Sequence, residues 1–160
     1  MIETEFSDAK APDTMLSGGV CEDRFINTKQ KDDLTMTDTP AHALVWGEIP
    51  VRDLDRSIAF YETVMQYKIT RDDTGPNPIG MLPFEGDSIA GHLYPGEPAA
   101  PGTGPTLHLA VPDSLEATAA RCEQAGGTLK SDAITIPPGR FIYAEDPDGN
   151  SLGLFEYGKA

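Results

Sequence analysis

Three residues combine types and positions that could support chemistry: Glu48, His92 and His108. Two imidazoles and a carboxylate form a donor set suited to Fe, Mn, Ni or Zn with coordination positions left open for a substrate. A metal held there would polarise neighbouring substrate oxygens as a Lewis acid. Glu48 alone is a candidate catalytic group, since a carboxylate in a dry pocket can act as a general base. Blander roles compete with these. Glu48 could hydrogen-bond a neighbouring backbone or tyrosine group, His92 could face solvent beside the Pro95-Gly96 turn, and His108 could be a satisfied polar residue of a cavity wall.

The elements that must position these residues repeat. Val45, Gly47, Ile49 and Val51 alternate with Trp46, Glu48 and Pro50, which is strand periodicity. Asp53 suits a helix N-cap, and Leu54, Ile58, Tyr61 and Met65 fall at helical spacing up to about Gln66. Three short strands follow: 67–71, 79–84 and 88–94. The same order returns after a Pro/Gly-rich linker, residues 95–105. Thr106–Val111 is the repeated first strand, and Asp113 with Glu116 three residues on has the capping-box pattern. That helix should end at Gly126-Gly127. Residues 128–132, 140–145 and 151–157 complete the second set of strands, with 134–139 expected as loop and Asp146–Asn150 as a turn. That turn lacks the further acidic ligands of a Ca²⁺ loop.

Two copies of strand–helix–strand–strand–strand point to duplication of one unit. The expected fold is α+β, with two βαβββ modules (43–94 and 106–157) paired into a cup-shaped mixed sheet. The domain should span 41–160. Residues 1–40 read as a disordered or loosely attached extension; Met36 could be a second start, leaving 1–35 outside the native product. In each first strand the apolar set should pack under a helix. Trp46, Glu48, Ala90, His92, Tyr94, Thr106, His108, Ala110, Gly153 and Phe155 should face the cup. Trp46 is the only tryptophan and a candidate for stacking on a planar ligand. Tyr143 and Phe155 are candidate pocket residues. Arg140, at a strand entry, could hold an anionic substrate group, with a surface ion pair as the alternative.

The formal net charge of −14 argues against nucleic acid and against an anionic membrane surface. No apolar run approaches the ~18 residues of a membrane span, and the acidic start resembles no secretory signal, so a cytoplasmic protein is expected. Of the two cysteines, Cys122 shares helical spacing with Leu115 and Ala119 and reads as a core thiol, and nothing suggests a disulfide framework.

Glu48-Ile49-Pro50-Val51-Arg52-Asp53-Leu54-Asp55-Arg56-Ser57-Ile58-Ala59-Phe60-Tyr61, Gly126-Gly127 and Asp146-Pro147-Asp148-Gly149-Asn150-Ser151-Leu152-Gly153-Leu154 resemble the vicinal oxygen chelate superfamily. This group includes glyoxalase I, bleomycin and fosfomycin resistance proteins and extradiol dioxygenases. The resemblance covers about residues 43–157 and implies paired βαβββ modules around a divalent metal, usually in a homodimer. The usual ligand positions are occupied here by Trp46, Ala90, Thr106 and Gly153, none a His or Glu. The cofactor expectation is therefore a metal-free cup, with a divalent metal on Glu48, His92 and His108 as the alternative. The function implied is a lyase, isomerase or dioxygenase-type enzyme acting on a small oxygenated substrate. A metal-free protein that sequesters a small-molecule ligand is the alternative, and a catalytically silent partner in a larger assembly is a third. An enzyme predicts convergence of Glu48, His92 and His108. A sequestering protein predicts an apolar, aromatic-lined groove.

Overall fold

The computed structural model describes residues 42–158, so the readings made for residues 1–40, Cys21 and Met36 among them, lie outside the described residues. The element order is β1 (Trp46–Val51), α1 (Leu54–Met65), β2 (Thr70–Asp72), β3 (Ile79–Met81), β4 (Ala90–Pro95), β5 (Leu107–Ala110), α2 (Leu115–Gln124), β6 (Thr128–Leu129), β7 (Ile134–Ile136), β8 (Gly139–Glu145) and β9 (Ser151–Tyr157). This is the expected α+β duplication. Segment 134–139, expected as loop, supplies β7, which pairs with β8. The prolines at 137 and 138 end that strand without preventing it, because an edge strand needs hydrogen bonds on one side alone.

The helix starts follow local chemistry. Asp53 caps α1 by accepting the Arg56 N–H, 3.0 Å. Gln66 closes the helix in a left-handed conformation, φ 55°. The cap of α2 is Ser114, whose hydroxyl accepts the Ala117 N–H at 3.2 Å. The expected Asp113–Glu116 capping box is absent because both acids are engaged elsewhere. Asp113 accepts two hydrogen bonds from Arg121, at 2.8 Å each, and Glu116 binds Arg140.

Each module builds its own mixed sheet. The first runs β1-β4-β3-β2, and the second runs β5-β9-β8-β6 with β7 on β8. The parallel pairs put Glu48 opposite His92 and His108 opposite Gly153. No strand pair joins β1 to β5, so the two sheets do not close into one. Gly91 and Gly47 are cross-strand partners in close approach. A Cβ on Gly91 would lie 2.1 Å from the Gly47 carbonyl oxygen, so the first sheet requires glycine there.

One face of each sheet is covered by its helix. Ile49, Val51, Leu93, Phe60, Tyr61, Val64 and Met65 of the first module share a continuous core with Leu115, Ala119, Cys122, Leu152 and Leu154 of the second. The Cys122 thiol is fully buried, and burial pushes its pKa up to about 11, as expected of a packing residue.

The Asp146–Asn150 turn does more than reverse the chain. Buried Asp146 accepts the Asp148 and Asn150 N–H groups on one oxygen, and the Tyr61 hydroxyl and the Asn150 amide on the other. Asp148 accepts the Arg52 N–H and the Ser57 hydroxyl, and the Asn150 amide donates to the Pro50 carbonyl. The turn of the second module thus clasps the β1–α1 junction of the first.

Candidate functional site

The period of two along each strand turns a distinct set of side chains to the helix-free face of each sheet. In the first module this set is Trp46, Glu48, His92 and Tyr94. The Trp46 indole N–H donates to His92 Nδ1 at 2.9 Å. Indole is a donor alone, so the acceptor nitrogen is unprotonated, and neutral His92 carries its proton on Nε2. That Nε2 lies 3.9 Å from Glu48 Oε1, too far for a hydrogen bond. The Glu48 side chain is 60 % exposed and that of His92 15 %. Tyr94 meets the imidazole edge-on at 5.9 Å, and Phe84 meets Trp46 at 6.5 Å.

In the second module the same face is aromatic. The His108 ring stands edge-on to Phe141 (4.8 Å), Tyr143 (5.9 Å) and Phe155 (6.1 Å). Phe141 and Phe155 are nearly parallel, 6.3 Å apart, and Tyr157 continues the row 5.1 Å from Phe155. A groove of about 540 Å³ opens over this wall, lined by His108, Ala110, Ile136, Phe141, Phe155 and Tyr157. A second apolar groove, about 520 Å³, runs beside β5 between the modules, where Tyr67, Leu82, Ile89 and Leu107 face it.

The expected residues distribute as follows. Glu48, His92 and Trp46 come together on the first sheet; Tyr143, Phe155 and His108 come together on the second. Glu48, His92 and His108 do not meet: among the described residues no group of three or more His, Cys, Asp or Glu side chains is placed to hold a metal ion. Spacing along two strands of different sheets could not fix the distance between them. Of the two readings given to Arg140, its contacts match the ion pair. It lies on the helix side of β8, and its guanidinium is bound by Glu116 (2.5 and 2.9 Å) and Glu156 (2.8 Å). Its parity with Ile142 and Ala144, opposite to Phe141 and Tyr143, is the sequence signal for that placement. Tyr157 and Ile136 were absent from the expected site. Two-residue steps from Phe155 would have found the tyrosine; the isoleucine was hidden by reading β7 as loop.

Residues 39–154 match the model of the Glyoxalase/Bleomycin resistance protein/Dioxygenase superfamily. The chain belongs to this superfamily. Among relatives, it is 32% identical over 109 residues to CFP32 of Mycobacterium bovis, which carries a provisional glyoxylase name. The match covers 66% of this chain and 41% of CFP32, so the chain spans less than half of that relative. It is 30% identical over 116 residues to the uncharacterized protein YwbC of Bacillus subtilis, covering 68% of this chain and 92% of YwbC. The fold is shared with a glyoxalase/bleomycin resistance protein of Albidiferax ferrireducens (21% identity, TM-score 0.55, 71% of this chain and 97% of that one). It is also shared with the fosfomycin resistance protein FosX of Listeria monocytogenes (14% identity, TM-score 0.55, 76% and 95%).

The divalent metal that this superfamily implies does not fit the donors present. At the ligand positions that the sequence resemblance implies, Trp46 gives its N–H to His92 and the Ala90 side chain has no ligand atom. The Thr106 hydroxyl is paired with the Ser151 hydroxyl at 2.6 Å. Gly153 is occupied from the side: a Cβ there would lie 2.2 Å from His108 Nδ1. The glycine lets His108 lie across the strand among the aromatic rings. Among the described residues, no helix is long and apolar enough to cross a membrane.

Proposed function

We propose that the chain is a metal-free small-molecule-binding protein that holds a planar apolar ligand against the aromatic wall of the second module. The observation that carries this is the row His108, Phe141, Phe155 and Tyr157 beneath an open groove of about 540 Å³. Aromatic walls contribute large contact areas and favour offset or edge-on stacking of a flat ligand. Tyr157 is 70% exposed, an unusual burden for a large ring unless something covers it. The test is titration with flat aromatic compounds, followed by NMR, beside metal analysis of the purified protein. Saturable binding that weakens at least tenfold in Tyr157→Ala and in Phe155→Ala is the expected result. Stoichiometric metal that disappears in His108→Ala and in Glu48→Ala would overturn the reading.

A second reading, a lyase, isomerase or dioxygenase-type enzyme with Glu48 as general base, draws support from the exposed Glu48–His92 pair. It requires that a bound ligand be turned over and that Glu48→Gln stop the turnover while leaving affinity within a few-fold. A homodimer accompanies either reading. The outer edges of β1 and β5 have no strand partner among the described residues, and Val45 and Tyr157 are about 70% exposed. Light scattering should give twice the mass of one chain.

A further inference from the structure

The helix-free face of the first module carries a polar cluster apart from the aromatic wall of the second. We propose that Trp46, His92 and Glu48 form a recognition site for a planar ring that presents an N–H and an acceptor atom side by side, such as a lactam, imide or amino-heterocycle edge. The argument begins with the Trp46 N–H···Nδ1 bond of 2.9 Å, which fixes neutral His92 with its proton on Nε2. Nε2–H is therefore a donor, and the Glu48 carboxylate beside it is an acceptor. Their 3.9 Å separation is too long for them to satisfy each other. Among the described residues, neither side chain has any other hydrogen-bond partner.

A donor and an acceptor held side by side complement the edge of a cis-amide, whose C=O and N–H point the same way. The two hydrogen bonds to such an edge diverge slightly, so their protein partners stand a little farther apart than the ligand atoms do. The carboxylate makes the N–H contact charge-assisted and so the stronger of the two. The same arrangement selects against other edges. A carboxylate ligand would face Glu48, and an amidinium would turn a donor against Nε2–H. Trp46 and Tyr94, flanking the imidazole at 5.9 Å each, offer ring surface to the body of the ligand. Trp46 is a positioning residue here: it selects the tautomer that does the reading.

The full chain has one tryptophan, so its indole N–H gives one resolved NMR resonance at the site. The probes are 2-quinolinone and N-methyl-2-quinolinone, which differ in the lactam N–H. The lactam should perturb the Trp46 resonance saturably, with the N-methyl compound at least tenfold weaker. Glu48→Leu and His92→Phe should each erase that preference, and Tyr157→Ala, on the other module, should leave it unchanged. Nitrogen-15 shifts of the neutral His92 ring should show Nε2 protonated and Nδ1 bare. Equal affinity for the two probes, no saturable perturbation up to the solubility of 2-quinolinone, or a neutral His92 protonated on Nδ1 would each overturn the proposal. Loss of binding in Tyr157→Ala without loss at Trp46 would separate this site from the aromatic wall.

Discussion

Gly153 shows how one missing side chain shapes a site. Its hydrogen gives His108, its cross-strand partner, room to lie across β9. Gly153→Ala should push the imidazole out of the ring cluster, because the Cβ would otherwise lie 2.2 Å from Nδ1. Overpacking of this kind costs about 1–3 kcal/mol. The Phe141 and Phe155 rings should shift the His108 Hε1 resonance of the unaltered protein, and in the variant it should move toward an ordinary histidine position; an unmoved resonance would refute the account. Tyr61 makes a second case. Its hydroxyl donates to buried Asp146 at 2.9 Å, and burial, reinforced by the Asp146 charge, holds the phenol well above the usual tyrosine range. The folded state favours the neutral phenol, so its contribution to stability is full below about pH 10 and is lost as the pH rises beyond. Tyr67, pushed up to about 12 by burial, adds in the same sense. Tyr61→Phe should cost about 1–3 kcal/mol at neutral pH and flatten the alkaline fall without abolishing it, as read from denaturation midpoints between pH 8 and 11. An unchanged alkaline slope would show that the buried phenol is not its source.

Among the elements, what the sequence disclosed depended on whether a rule is local. The alternation of Ile49 and Val51 with Glu48 and Pro50, and the stripe Leu54, Tyr61, Met65, state burial directly, and both elements form as expected. Face assignment was equally legible: Glu48, His92, His108 and Phe155 all stand on the helix-free faces, because parity along a strand is fixed by the pleat. Competition among neighbours was harder to see. Asp113 has good capping chemistry, yet Arg121 and the Thr118 hydroxyl claim its carboxylate, and Ser114 takes the cap. β7 was obscured because Pro137-Pro138-Gly139 follows it directly and gives the whole segment the composition of a loop, although that same turn folds it back onto the start of β8. Distances between sheets were not legible at all. The meeting of Glu48 with His92 follows from one strand register, but no register links either to His108.

For the molecule as a whole, the question is whether two modules without a shared sheet behave as one folding unit. Their helices bury a common core, and Arg121 of α2 reaches across to the Val64 carbonyl of α1 at 3.0 Å. The Asp146–Asn150 turn adds polar bonds that no water could replace cheaply, since Asp146 is buried and Asp148 nearly so. Neither module can therefore open without exposing apolar surface and orphaning polar groups of the other, which is the condition for an all-or-none transition. Asp148→Ala isolates the clasp. It leaves the Arg52 N–H and the Ser57 hydroxyl without their acceptor and should cost about 1–3 kcal/mol. The informative reading is taken separately from each module: Trp46 fluorescence for the first, and Tyr143 and Tyr157 ring resonances for the second. Both signals should lose midpoint by the same amount and remain superimposable. Transitions that separate in the variant, with the Trp46 signal moving alone, would mean that the common core does not couple the modules and that the turn alone holds them together.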